Sequence, residues 1–280
     1  MRPMDHAIYH FLLFPMPHLF PRFAPDIRNL DLPLIDGHAR IPPAFLLDRD
    51  GPFEVNYIPF ESVNLAARVV LVGLTPGFVQ WRNAVAEAQV QLRGGASADE
   101  ALSAAKRAGA FSGPIRPNLV ALLDRIGLHR WLGLPGCATL FGQHAHLLHL
   151  ASLLRHPVSR GGKNYSGTPA PIAHRFLRRQ ITEYFAQEAA LFPDAVFIPL
   201  GPAVANGLHW LAKEGVLQPA QILDGLPHPS GANAERIAYF LGRKERSTLS
   251  TRTDPVRLDS AREALAQKLE RLCGGTGLVT

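Results

Sequence analysis

Residues 68–74 read RVVLVGL and run directly into the turn Thr75-Pro76-Gly77, and this stretch decides the fold class. A short β-branched apolar run that ends at a glycine–proline turn is typical of a buried parallel strand. The same form recurs at 195–201 (AVFIPLG), and 221–230 (QILDGLPHPS) is interpreted as another strand that runs into a loop, with helical patterns in between. The alternation predicts an α/β fold, a three-layer α/β/α sandwich with a short, mainly parallel central sheet.

The clearest helical pattern is an Ala-rich insert at about 83–109. It predicts two helices broken at Gly94-Gly95, the second with a capping box of Ser97 and Glu100. A further helix is expected to start with Pro117 as its first residue and to end at Gly127. Residues 138–150 are expected to contain a strand, and 171–192 an amphipathic helix.

The chain is predicted to form a single domain over residues 1–280. Its parts are a packed, proline- and aromatic-rich extension (1–65), a core (66–242) that carries the helical insert, and a C-terminal helix within 243–280. Apolar residues make up 47% of the chain, enough for a sizeable core.

Charge and cysteine content narrow the function classes. Lys and Arg number 29 against 23 for Asp and Glu, a net charge of +6 that favours a polyanionic partner. The two cysteines exclude a disulfide framework and any four-cysteine zinc or iron–sulfur cluster. Prolines interrupt the apolar run near the start, so neither a membrane span nor a secretion signal is expected, and a cytoplasmic protein is predicted.

Several common cofactor and nucleophile motifs are missing from the sequence. It has no GxGxxG after a strand, no GxxxxGK[ST] and no GxSxG, so no nucleotide cofactor is expected. The histidines at 144, 146, 149 and 156 suggest a metal, but no carboxylate or cysteine in their pattern completes a ligand set, so no metal is expected. His144, placed near a strand end, is the histidine most expected to line a pocket.

Two motifs bracket the core, GLTPG at 73–77 and HPSGAN at 228–233. Each alone is compatible with an ordinary loop. Together, and with GAFSGPIRPNLVALLDRIGL at 109–128 between them, they resemble the uracil-DNA glycosylase superfamily over roughly residues 66–242. The resemblance implies an enzyme that rotates a nucleotide out of the DNA stack and cleaves its N-glycosidic bond.

The resemblance also implies roles for residues of the two motifs. Phe111 would stack on the flipped base, Gly73 would belong to the base-binding site, and His228 would donate a hydrogen bond to the departing base. Thr75 stands where the superfamily usually carries Asp, Asn or Glu, and a threonine can at most orient a water. Gly77 replaces a tyrosine of the uracil-specific branch, which would leave the C5 side of a pyrimidine open.

The remaining DNA contacts are assigned to polar and basic residues. Ser230 and the amides of Gly231 and Ala232 would hold a phosphate, and Ala232 and Asn233 would lie in the minor groove. Asn164 would read the Watson–Crick edge of the base, with a surface turn as the open alternative. Sugar, phosphate or substituent contacts are expected from Gln80, Lys163, Tyr165 and, in a basic patch on the 171–192 helix, Arg178.

The sequence therefore predicts a monofunctional DNA glycosylase, since no lysine is placed to form a Schiff base. Gly77 and the long insert favour a modified pyrimidine, such as the glucosylated hydroxymethylcytosine of phage DNA, and hence a defence role. Two alternatives stay open: a repair enzyme for uracil or deaminated bases, and a catalytically weak nucleic-acid-binding protein, which Thr75 suggests. DNA is the expected partner and a monomer the expected state, with no membrane and no metal cluster.

Overall fold

The structure, a computed structural model, describes residues 18–36, 40–111 and 115–274. Residues 1–17 and 37–39 of the predicted extension, 112–114 after Phe111, and 275–280 at the end of the chain lie outside the described residues. No helix in the described ranges is long and apolar enough to cross a membrane.

The described strands are β1 (Leu46–Asp50), β2 (Phe53–Asn56), β3 (Val69–Gly73), β4 (Leu148–Ser152), β5 (Val158–Arg160), β6 (Lys163–Asn164) and β7 (Val196–Pro199). The described helices are α1 (Phe20–Asn29), α2 (Leu32–Asp36), α3 (Phe78–Arg93), α4 (Ala98–Gly109), α5 (Ile115–Arg125), α6 (Leu128–Leu132), α7 (Arg175–Gln180), α8 (Ala186–Ala189), α9 (Pro202–Lys213), α10 (Ala234–Phe240) and α11 (Pro255–Gly274). A π turn, Ile181–Phe185, joins α7 to α8.

The predicted fold class is confirmed by the central sheet. Strands β4, β3 and β7 lie side by side in that order and are parallel, with Val69 opposite both Leu148 and Val196. Because side chains alternate along a strand, Val70 and Val72 pack on one side of the sheet and Val69 and Leu71 on the other. Helices α7 to α9 cover the first face, and α5, α6, α10 and α11 cover the second.

The last predicted strand is wrong in extent. Within 221–230 only Ile222 pairs with the sheet, through a parallel bridge to Phe197, and the Leu223 N–H donates to the Phe197 carbonyl at 2.8 Å. The chain cannot continue as a strand because Pro227 and Pro229 have no N–H to donate to a ladder. This segment therefore becomes a loop at the carboxyl edge of the sheet.

A second sheet was not predicted. Strands β1, β2, β5 and β6 form an antiparallel sheet in that order, which places the short hairpin of β5 and β6 beside the N-terminal part of the chain. The register matches Val55 with Val158 and Ser159 with Asn164. This hairpin carries Asn164 to the neighbourhood of the turn that follows β3.

The helical insert forms as predicted, with two helices and the Ser97–Glu100 capping box. Its first helix begins earlier than the predicted start at 83, at Phe78 directly after Gly77. The helix assigned to begin at Pro117 instead begins at Ile115; a proline is still accommodated there because N–H groups of the first turn have no intrahelical acceptor.

The N-terminal segment packs against the insert. The ring of Phe23 in α1 stacks on Tyr57 at a centroid distance of 4.1 Å, and the Tyr57 carbonyl accepts from the Trp81 indole N–H of α3 at 2.8 Å. Glu61 caps α1 by accepting from the N–H groups of Leu19 and Phe20 at 2.6 and 2.9 Å. These contacts pack the extension against the insert, and Phe60, near the end of the extension, lines the same pocket as His228.

Candidate functional site

A pocket of about 860 Å³ lies at the carboxyl edge of the central sheet. The ends of parallel strands and the loops that follow them are where α/β proteins place their ligands. The loops after β3 and β7 and the 224–233 loop contribute to its walls, together with the insert and the segment before α11. Its lining includes Gly73, Thr75, Gln80, Phe111, Ser152, Ser166, Gly201, His228, Asn233, Arg236, Arg252 and Arg257.

Phe111 forms an aromatic wall of this pocket. Its backbone φ is +49°, the only positive φ of a non-glycine residue in the described ranges, a conformation that costs about 1–3 kcal/mol. The ring lies against Gly73: a Cβ there would be 3.3 Å from ring atoms Cε1 and Cζ. The glycine that ends β3 therefore makes room for the ring, and the strained backbone keeps the ring at the pocket.

His228 is oriented by its own loop. The backbone N–H of Ser230 donates to Nδ1 of the imidazole at 3.2 Å, which assigns the proton of the neutral ring to Nε2. Burial lowers the pKa of His228 below its usual value of 6.5, which favours that neutral form. Gly201 lies beside the ring, and its φ of +106° is a backbone conformation that favours glycine. The ring thus presents an N–H donor in the pocket.

The HPSGAN loop is held by hydrogen bonds to both sides. The side-chain amide of Asn118 in α5 donates to the Pro229 carbonyl at 3.0 Å. The Asn233 amide donates to the Ser230 hydroxyl at 3.2 Å, and Arg236 in turn donates to Asn233 Oδ1 at 2.9 Å. Gly231 and Ala232 are exposed at the tip, as a contact to a large ligand requires.

Arginines form one rim of the pocket. Arg236 also donates to the carbonyl of Arg252 at 2.9 Å, which fixes the 250–254 segment next to the HPSGAN loop. Arg252 and Arg257 are exposed and line the pocket beside Asp254. The three guanidinium groups against one carboxylate make this rim attractive to phosphate.

Thr75 lies in the pocket wall, but its hydroxyl is engaged by the backbone. Oγ1 donates to the His156 carbonyl at 2.9 Å and accepts from the Val158 N–H at 3.0 Å. The side chain therefore joins the turn after β3 to the start of β5. The hydroxyl proton is thus already donated, whereas one lone pair of the oxygen remains for a water, so the water-orienting role of Thr75 stays a prediction beside this structural one.

Replacing Thr75 with valine is expected to destabilise the protein by about 1–3 kcal/mol, because the Val158 N–H would lose its acceptor. Thr75→Ser keeps the hydroxyl and is expected to stay close to the parent in urea unfolding. If the valine variant unfolded at the same urea concentration as the serine variant, the structural role would be wrong.

Gly77 does not leave an open wall, contrary to the prediction. Its N–H donates to Oε1 of Gln80 at 3.0 Å, and a Cβ at Gly77 would lie 3.0 Å from that oxygen and 3.2 Å from Nδ2 of Asn164. The space that a side chain would fill is taken by two amide groups. This side of the pocket therefore offers polar donors and acceptors where the sequence predicted open volume.

The structure brings most, not all, of the predicted residues together. Asn164 and Lys163 are exposed on β6 and do not line the pocket, although the Asn164 amide lies next to Gly77. Tyr165 lines the pocket but is buried, and its hydroxyl donates to the Pro169 carbonyl, so the hydroxyl is not the DNA contact that was predicted. Burial also raises the pKa of Tyr165 to about 12.

Two predicted residues lie elsewhere. His144 precedes β4, in the turn at the amino end of that strand, so it sits at the opposite edge of the sheet from the pocket. His146 likewise precedes the strand, which begins at Leu148. Arg178 lies on α7 in a separate shallow groove with Asp48 and Asp50, and it does not line the pocket.

A buried ionic cluster lies behind the insert. Glu188 of α8 accepts from Lys106 of α4 at 3.2 Å, from His149 of β4 at 2.6 Å, and from Arg155 at 2.7 and 3.1 Å. Burial alone would raise the pKa of Glu188, but Arg155 and Lys106 hold it well below its usual range. Lys106 also donates to the Ser62 carbonyl at 2.7 Å, so the cluster fastens the insert to the core.

The comparisons with known proteins give one relative. The chain is 34% identical to the uncharacterized protein YoxB of Bacillus subtilis (strain 168) over 222 residues, which make up 78% of this chain and 87% of YoxB. No family model matches the chain. No solved structure matches it either.

Proposed function

The chain belongs to the family of YoxB, and for the member described here we propose a monofunctional DNA glycosylase that excises a modified pyrimidine. The observation that carries the proposal is the pairing of two groups in one pocket. The Phe111 ring lies on Gly73, and the neutral His228 ring directs its Nε2–H to the same space. A flat wall and a nearby donor are what extraction and release of a base require.

The proposed reaction depends on stabilising the leaving group. As the N-glycosidic bond breaks, the sugar gains positive charge and the base takes the bonding electron pair. The Nε2–H of His228 would donate to an oxygen of the base where that negative charge develops. A water oxygen then bonds to the sugar carbon and its proton passes to solvent. Thr75 is not a general base, so the rate of the reaction would depend on how readily the nucleobase departs.

The pocket supports a substituted base as substrate. At about 860 Å³ it lies in the upper part of the range for small-molecule sites and exceeds what an unmodified pyrimidine fills. The amides of Gln80 and Asn164, which meet above Gly77, can both donate to and accept from hydroxyl groups. A 5-substituent that carries a sugar, as in glucosylated hydroxymethylcytosine, suits this wall, and its removal from phage DNA would be a defence function.

The charge of the rim supports DNA as the partner. Arg236, Arg252 and Arg257 lie beside the exposed tip of the HPSGAN loop, where the phosphates flanking a flipped nucleotide would pass. Such contacts position the strand without reading its sequence. A DNA substrate also agrees with the cytoplasm that the sequence predicts.

An abasic-site assay tests the proposal. Duplexes with one central uracil, 5-hydroxymethylcytosine, glucosylated 5-hydroxymethylcytosine or cytosine are incubated with the protein and then cleaved at abasic sites by alkali. Strand cleavage is expected at the glucosylated base, and it should be lost in His228→Ala. Cleavage confined to uracil would favour the repair alternative.

A binding protein without catalysis is the second candidate, and the engaged hydroxyl of Thr75 favours it. It predicts retention of the same duplexes on a native gel with no abasic product from any of them. The two candidates therefore differ in a single measurement made on one set of samples.

A further inference from the structure

Three side chains of different chemistry converge on the second face of the sheet, away from the pocket. Asp124 lies in the last turn of α5, His129 in α6, and Cys137 just after Gly136. Gly127 and Gly133, with φ of +84° and +70°, turn the chain at the two ends of α6 and fold it back on α5. A carboxylate oxygen, the Nδ1 of His129 and the Cys137 sulfur all come within 4.8 Å of one another.

We propose that Asp124, His129 and Cys137 bind one Zn²⁺ ion, with a water as the fourth ligand. Oxygen, imidazole nitrogen and thiolate are the three donor types that zinc takes from proteins, and one of each leaves a tetrahedral ion a position for water. An ion at this position would brace α5, which also carries Asn118, the residue that holds the HPSGAN loop at Pro229.

The His129 ring gives the first independent support. Its Nδ1 is shielded from solvent and has no hydrogen-bond partner in the described part of the chain, although it lies 3.2 Å from Oδ1 of Asp124. A buried polar atom without a partner requires an explanation. A cation bound by both this nitrogen and the Asp124 carboxylate would supply the partner that Nδ1 lacks.

The surroundings of Cys137 give the second independent support for a zinc site. Oδ1 of Asp124 accepts from the Cys137 N–H at 2.8 Å, and the His129 N–H is directed at the Cys137 sulfur, where it would stabilise a thiolate. In the free protein, burial and the Asp124 carboxylate raise the pKa of the thiol. Zinc reverses this balance: the S–H bond breaks, the sulfur pair bonds to the metal, and one proton leaves to solvent.

The two sides of the cluster differ in access. Cys137 is fully buried, whereas the side chains of His129 and Asp124 are 25% and 36% exposed, so an ion can enter from their side. The sequence did not indicate the site because the spacing of these three residues follows none of the paired spacings of zinc ligands. The histidines at 144, 146, 149 and 156, whose pattern suggested a metal, are not part of this site.

Cobalt titration of the full chain, without a polyhistidine tag, tests the proposal. Co²⁺ is expected to give a near-ultraviolet thiolate charge-transfer band that saturates at one equivalent, and Zn²⁺ should abolish the band. Cys137→Ser should remove it. Cys273→Ser, which removes the other thiol of the chain, should leave it unchanged.

A second variant guards against misfolding. His129→Gln keeps a polar side chain at a partly exposed position and is expected to fold, but to bind Zn²⁺ at least about tenfold more weakly by competition with a chromogenic chelator. Zn²⁺ should raise the melting temperature of the parent and not that of His129→Gln. The site would be refuted by a chain that gives no charge-transfer band, or by a band that survives Cys137→Ser.

Discussion

Replacement of His228 by alanine is expected to lower the single-turnover rate of base release by about 10²–10³-fold, equivalent to about 3–4 kcal/mol of transition-state stabilisation. In the proposed reaction, the Nε2–H of the ring that Ser230 orients would be the donor to the charge of the leaving base. His146→Ala, at an exposed position near the opposite edge of the sheet, is the matched control and should keep the parental rate. A comparable fall in both variants would contradict the assignment.

The pH dependence of the single-turnover rate is a second test of the role assigned to His228. Because burial lowers the pKa of His228 below 6.5, the neutral ring persists to more acidic pH than a free imidazole. The single-turnover rate is therefore expected to stay constant as pH falls through 6.5 and to decline only below it, when a proton on Nδ1 breaks the bond from Ser230. An acid limb centred at or above pH 6.5 would mean that another group controls the rate.

Replacement of Glu188 by glutamine is expected to cost about 3–5 kcal/mol of stability, the largest effect of any substitution considered. Without the carboxylate, the buried cations of Lys106 and Arg155 would lose the negative charge that they share in Glu188. Urea unfolding followed by circular dichroism measures the change. Glu183→Gln is the control: its partner Arg179 is half-exposed at 3.8 Å, so a loss within about 0.5 kcal/mol is expected.

The same cluster predicts how stability depends on pH. Burial and Lys106 lower the pKa of His149 from 6.5 to about 4, so the unfolded chain takes up this proton first. Stability is expected to fall as pH drops from 6.5 toward 4. Glu188, whose folded pKa is depressed, adds a further loss below its ordinary pKa. If Glu188→Gln lost no more stability than Glu183→Gln at neutral pH, the cluster would not be the source of either effect.

Local patterns predicted the parts of the fold that local interactions determine. The run at 68–74, the break at Gly94-Gly95 and the Ser97 cap all depend on residues a few positions apart, and the structure agrees with each. The antiparallel sheet depends on pairing between β2 and β5, which are far apart in the chain. No local period in the sequence encodes that pairing.

The site shows the same division. The HPSGAN loop and Phe111 could be assigned from motifs. The structural role of Thr75 could not, because its partners, the His156 carbonyl and the Val158 N–H, come from a distant part of the chain at the start of β5. Arg252 and Arg257 lie beyond the segment that carries the resemblance, so nothing in the motifs pointed to them. Only the packing of α11 brings them to the rim.

The ion pair between Lys106 and Glu188 affects how a flipped base would bind in the pocket. Lys106 lies about one turn before the end of α4, and Phe111 follows that helix directly, so the buried ion pair fixes the helix end from which the ring projects. A ring already held in its stacking position loses little side-chain freedom when a base arrives. The slow event of capture would then be the rotation of the nucleotide out of its duplex, and association rates should follow the ease with which the flanking base pairs open.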